Sequence, residues 1–445
     1  MLALNASSAI DITAMHRSNC ARRVLFFAII AVYPVFAQSN NQPQTAQLGT
    51  ASHDVLCSNG FSSFDTKFAT GVSVSVGSVK SAGLATRHCE AKLQWGKHEL
   101  VIEPDAAQLD IDLLGANLGL GSPVFALQIK KYELDSLMKY QIYSLANPPK
   151  LLRTITGGDF FLAADTDLDG RIEIWTHDAG AVNDFEGIPL SALDFAPTVV
   201  LRFEQQRLVD VGSEFPAHFD GQIALLRARL DAQQLSDFKH SDGKLSPLTF
   251  AIPADKFHSL RATKIQVLEI VWCYLYSGRE HEAWQALAEM WPPADFERIQ
   301  TSIRDARARG IRSQVDEVSP GFSRFHITKH ALVYDRVTDN GQEHQLRMDG
   351  QSPKEDHMRI FEVDTNPEPI LLRRPPPPAA TTAFLNTEVV LNLVIDAAGK
   401  VRSAKMEGKP DQALLDATAD WKFIPGFKDG VPVACRLRFG VTPYQ

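Results

Sequence analysis

The chain has 445 residues, of which 44% are hydrophobic and 22% charged, and a formal net charge of −8. That composition excludes wholesale disorder and leaves room for several hydrophobic cores, about three domains by length. The acidic balance argues against nucleic acid as a partner.

Near the N-terminus, Arg22 and Arg23 precede "VLFFAIIAVYPVFA" (24–37), an apolar run of 14 residues followed by polar "QSNNQPQTAQ". The run is short for a membrane span and ends in Val35-Phe36-Ala37, a small-residue cleavage pattern. The expectation is an export signal over residues 1–37, cleaved near Ala37 to leave a periplasmic or exported protein; the alternative is an uncleaved inner-membrane anchor. Cleavage removes Arg17, Arg22, Arg23 and Asp11, leaving 42 basic against 52 acidic residues. In an oxidising compartment Cys57 and Cys89, which flank a β-patterned stretch, are the candidate disulfide. Cys273, in the apolar helix "IQVLEIVWCYLY", and Cys435, on the apolar face of the last strand, are expected in cores. With no CxxC in the chain, a zinc or redox centre has little support.

Residues 53–215 show short apolar runs such as "GVSVSVGSV", "AKLQW", "HELVIEP", "VFALQI" and "TVVLRF", separated by Gly, Asn, Asp and Pro. They predict a β-rich domain. Within it "ADTDLDGRIEIW" alternates Asp165, Asp167 and Asp169, with Gly170 allowing a sharp turn, Arg171 at loop position seven and Glu173 at position nine. Such spacing gathers oxygens around Ca²⁺: three carboxylates, the Arg171 carbonyl, and Glu173 directly or through water. Position twelve is Thr176 and the flanks alternate as strands, so this is not an EF-hand. The strand, Asp-rich loop, strand order of "GGDFFLAADTDLDGRIEIWTHD" resembles a single calcium loop of the FG-GAP repeats, which implies a structural Ca²⁺. The competing reading is an acidic solvated hairpin turn.

From 216 to 312 the period becomes helical, with breaks at Gly278, Pro292-Pro293 and Gly310. "LEIVWCYLYSG" and "REHEAWQALAEMW" read as one helical hairpin of the tetratricopeptide kind. Residues 323–363 return to a strand pattern, and 364–386, containing "RRPPPPAATTAF", form a stiff Pro-rich linker. Enzyme signatures fail: "HEAWQ" ends in Gln285 and lacks a second zinc ligand, "GANLGLGS" has neither dinucleotide-loop nor phosphate-loop spacing, and "KHSDGKLS" reads as a loop after a helix. The chain is expected to be no enzyme, and no small-molecule substrate is identified.

Residues 387–445 read as strand, hairpin turn "DAAGK", strand, a helix "DQALLDATADW" capped by Asp411, the turn "FKDGV", and a closing strand from Val431 to Val441. Leu414, Ala417, Thr418 and Trp421 form the helix's apolar stripe. This ββαβ unit of 59 residues resembles the C-terminal domain of the TonB family through "VVLNLVID..G.V", "DWKFIPG", "KDGVPV" and the last strand. The resemblance implies docking of a short peptide from an outer-membrane transporter, or another envelope protein, as a strand beside the last one. Arg436, Leu437, Arg438, Phe439, Val441 and Tyr444 are the implied contacts; the alternative is a strand covered within the protein. The fold class is therefore multidomain α+β, with a β-rich N-terminal part, a helical middle and a TonB-like end. A membrane-anchored TonB-type energy transducer, and an envelope enzyme of unrecognised type, remain as alternative functions.

Overall fold

A computed structural model of the chain describes residues 63–80, 87–132, 135–167, 169–193, 195–245, 253–318, 335–339, 342–346, 360–371 and 389–441. The expected export signal, Cys57, Tyr444 and most of the Pro-rich linker lie outside the described residues. Cys89 is disulfide-bonded. Strands and helices segregate along the chain as an α+β protein should.

The strand-patterned region builds three layers. β1 (Ser63–Lys67), β2 (Val72–Lys80), β3 (Arg87–Trp95) and β4 (His98–Ala106) form an antiparallel meander, and β5 (Gln108–Ala116), β6 (Val124–Lys130), β7 (Met138–Ser144) and β8 (Leu151–Gly158) form a second. Alternation places Val72, Val74 and Val76 against Ile111, Phe125, Leu127 and Ile129, so the two meanders pack face to face. The opposite face of the second meander, with Leu113, Ala126, Tyr140 and Ile142, belongs to the main core. Buried on both faces, β6 reads as a continuous apolar run rather than an alternating one.

The third sheet runs β13-β12-β11-β10-β9, built from β9 (Phe161–Ala164), β10 (Glu173–His177), β11 (Thr198–Glu204), β12 (Arg207–Asp210) and β13 (Glu317–Val318). Against it pack α1 (Pro216–Arg229), α2 (Ala232–Lys239), α3 (Ala254–Tyr276), α4 (Glu280–Met290) and α5 (Phe296–Arg309). The helices end near Gly278, Pro292-Pro293 and Gly310, where the sequence breaks its period. Among the described residues no helix is long and apolar enough to cross a membrane.

In the strand-patterned stretch that follows, β14 (Asp335–Asp339) pairs with β15 (Gln342–Leu346), and "HMRIFEVD" contributes a single bridge from Phe361 to Cys435 among the described residues.

At the C-terminal end β17 (Val389–Ile395) lies between β18 (Val401–Met406) and β22 (Cys435–Val441). The intervening helix α6 (Gln412–Ala417) is capped by Asp411, whose carboxylate accepts from the Leu414 N–H, and Leu414, Ala417, Thr418 and Trp421 are all buried. Two details depart from the sequence reading. The closing strand is split: β21 (Val431–Val433) pairs with β20 (Gly426–Lys428), and only the part from Cys435 pairs with β17. Asp429 and Gly430, both at positive φ, close the short hairpin, and Pro432 offers no N–H to a longer ladder. The unit is also not self-contained, because β16 (Glu368–Leu371), expected in the linker, pairs with β19 (Lys422–Ile424).

Candidate functional site

β9 and β10 pair antiparallel, and the loop joining them carries the acidic motif. Asp165, Asp167 and Asp169 each bring a carboxylate oxygen to within 4.8 Å of the others. Gly170, at φ +89, makes the turn and donates its N–H to Asp165 Oδ2 at 3.1 Å. Asp165 is 1% exposed, and its Oδ1 is buried without a hydrogen-bond partner. A buried, unsatisfied carboxylate oxygen is costly unless something positive meets it. Burial, then the charges of Asp396, Glu173, Asp167 and Asp169, push the Asp165 carboxyl well above the ordinary range. Asp167 is pushed up to about 6 by burial and by Asp169. The three aspartates thus form a cluster that could hold a metal ion.

The other two residues of the motif take different places. Arg171 turns its guanidinium onto Asp169, with Nε 2.6 Å from Oδ2. Glu173, on β10, points to the loop's inner side, where Oε2 accepts from the Thr166 N–H at 3.0 Å and Oε1 lies 3.5 Å from Arg202. Arg202 is itself buried and bonds Glu204 and Glu214. Glu173 therefore shapes the loop from beneath, outside the cluster formed by the three aspartates.

The C-terminal domain meets this loop directly. The β17–β18 turn, "DAAGK", places the fully buried Asp396 so that Oδ1 accepts from Ala398 and Lys400 N–H, each at 2.9 Å, and Oδ2 accepts from the Asp165 N–H at 3.3 Å. Gly399, at φ +84, is obligatory there, because a Cβ would collide with the Phe423 carbonyl. Arg402 Nη2 donates to the Thr166 carbonyl at 2.8 Å. Lys400 Nζ reaches Asp112 on β5 at 2.8 Å, and Lys422 reaches Asp110 on the same strand at 2.8 Å. Ala398 joins the main core.

Sequence patterning does not reveal these contacts. Asp110 and Asp112 stand in the apolar strand "QLDIDLLG", and carboxylates in such a strand require buried partners. That need is visible in the sequence; the identity of partners 288 and 312 residues away is not.

β22 occupies one edge of the order β18-β17-β22 among the described residues. The Glu407 N–H donates to the Val390 carbonyl, so Val390 turns its backbone groups towards β18, and the next residue, Leu391, turns towards β22. Leu391 is opposite Phe439 and Leu393 opposite Leu437. The alternate residues Arg436, Arg438 and Gly440 consequently turn their backbone groups away from β17. Of the expected contact side chains, Leu437, Phe439 and Val441 pack on the domain's own core, Phe439 at edge angles to Trp421 and Phe423. Arg438 lies along the sheet surface and bonds Glu407 through Nε and Nη2, each at 2.8 Å.

The remaining sequence motifs lie away from this loop. His281, Glu282 and Gln285 are on the exposed face of α4, and "KHSDGKLS" caps the end of α2. Cys273 and Cys435 are buried free thiols, and burial pushes both thiols up. In comparisons with known proteins, no family model, no curated protein and no solved structure matches this chain.

Proposed function

We propose that this is an exported, non-enzymatic cell-envelope protein whose TonB-like C-terminal domain binds a protein partner, an outer-membrane transporter being the class the sequence resemblance implies, by strand addition along β22. The observation that supports the reading is the position of β22 at a sheet edge among the described residues, bridged by Phe361 at Cys435, with the backbone of Arg438 and Gly440 turned away from β17 while the apolar side chains of the same strand are held by the core. In such an arrangement the backbone supplies affinity, and Arg436 and Arg438 supply selectivity. The pull-down that tests it uses the full mature chain and detergent-solubilised outer membrane, comparing wild type with Arg438→Pro. Proline removes an outward-facing donor and leaves the Leu437 and Phe439 side chains in place. Capture lost in the folded variant supports strand addition; the same proteins captured by both chains overturns it.

A structural Ca²⁺ held by Asp165, Asp167 and Asp169 accompanies this proposal. The buried, unpartnered Oδ1 of Asp165 favours it over a solvated acidic turn.

A further inference from the structure

The acidic loop is not at a free surface of the N-terminal layers; the C-terminal domain is seated on it. Two backbone groups of the loop, the Asp165 N–H and the Thr166 carbonyl, are bonded by Asp396 and Arg402 of that domain. The next backbone group inward along β9, the Ala163 N–H, donates to Asp112 Oδ2 at 2.8 Å, and the other oxygen of Asp112 holds Lys400. The β17–β18 hairpin, through Asp396 in its turn and Arg402 on β18, therefore grips the loop at its first two residues and, through Asp112, the strand that leads into it.

We infer that a divalent cation of the Ca²⁺ type at Asp165, Asp167 and Asp169 controls how firmly the C-terminal domain is docked, the loop acting as a cation-dependent clasp between the two. The inference rests on the cation reading above. Three carboxylates drawn onto one ion fix the backbone at Asp165, Asp167, Asp169 and Gly170, which presents the Asp165 N–H and Thr166 carbonyl in the orientation Asp396 and Arg402 require. Without the ion the carboxylates repel, and Asp165 Oδ1 is left buried with nothing to balance it. The loop relaxes by moving outward, and the two seam bonds go with it. Cation binding and domain docking are then one coupled equilibrium, so weakening either weakens the other.

The sign of one substitution separates this coupling from plain electrostatics. Arg402 carries a positive charge beside an anionic pocket, so on Coulomb's law alone its removal strengthens cation binding. If the seam holds the loop in its binding shape, Arg402→Met weakens binding instead. Calorimetric titration of the full mature chain with Ca²⁺ should give a dissociation constant about fivefold or more higher in Arg402→Met than in wild type, at the low end of typical couplings. Hydrogen exchange on the wild-type chain, with Ca²⁺ and after its removal, provides the second reading: exchange should quicken in residues 396–402 as well as in 165–170 when the ion is withdrawn. If wild type binds Ca²⁺ but Arg402→Met binds equally or more tightly, or exchange at 396–402 is unchanged, the clasp is wrong while the cation site stands. If wild type shows no Ca²⁺ binding, both fall.

Discussion

Lys400 Nζ lies 2.8 Å from Asp112 Oδ1, and the two side chains, 288 residues apart in the chain, are both buried. Asp112 is further satisfied by the Tyr140 hydroxyl at 2.7 Å and the Ala163 N–H. Removing one member of a buried pair strands the other's charge, at a cost of about 3–5 kcal/mol. Lys400→Met should therefore lower the unfolding free energy by that amount in denaturant titration. Asp112→Asn added to Lys400→Met should recover part of the loss, since no charge is then left alone. A single variant as stable as wild type would remove this pair from the forces holding the domains together.

Asp165→Asn should behave oppositely with and without Ca²⁺. Without the ion it removes an unbalanced buried charge while keeping an acceptor for the Gly170 N–H, so the variant should melt at or above wild type. With the ion, wild type gains RT ln(1 + [L]/Kd), about 2.7 kcal/mol at a hundredfold excess over Kd, and the variant gains little. The two melting curves should cross over between the conditions. Equal ranking in both would return the loop to an ordinary acidic turn.

The same loop carries a pH dependence. Asp167, pushed up to about 6 by burial and the neighbouring Asp169 charge, binds its proton more tightly folded than unfolded. Its contribution is complete below the unfolded value of about 3.9 and is lost as pH rises through about 6. Burial moves Asp165 and Glu173 in the same direction. Protein stripped of Ca²⁺ should thus lose stability across that window, and the stabilisation by added Ca²⁺ should grow across it as protons stop competing for the oxygens. Melting temperatures measured over the pH range, with and without the ion, provide the check; a Ca²⁺ increment indifferent to pH contradicts the ligand assignment.

Export predicts a mature chain beginning near Gln38. N-terminal sequencing or intact mass of the native protein decides the matter, and recovery from the inner membrane with residues 24–37 attached would favour the anchored alternative.

Local patterns carried much of this protein's architecture. The Val72, Val74, Val76 alternation, the helix stops at Gly278 and Gly310, the Asp411 cap and the apolar stripe ending at Trp421 are set by neighbours a few residues apart, and the structure has each of them in its expected place. The acidic loop was legible for the same reason: alternate residues of one turn necessarily come together, as Asp165, Asp167 and Asp169 do. The place of Glu173 depends on a residue remote in sequence, Arg202, which meets it beneath the loop. Alternation continues through Val431 and Val433 and so predicts one closing strand, whereas hairpin closure at Asp429-Gly430 gives those residues a different partner. The docking of the C-terminal domain was decided by tertiary structure alone. Asp110 and Asp112 announce a need for buried partners by standing in an apolar strand, but nothing local singles out Lys400, Lys422, Asp396 and Arg402 to meet the N-terminal layers. Only the folded layers bring them close enough for one buried charge to balance another, and sequence periodicity holds no information about pairings at that separation.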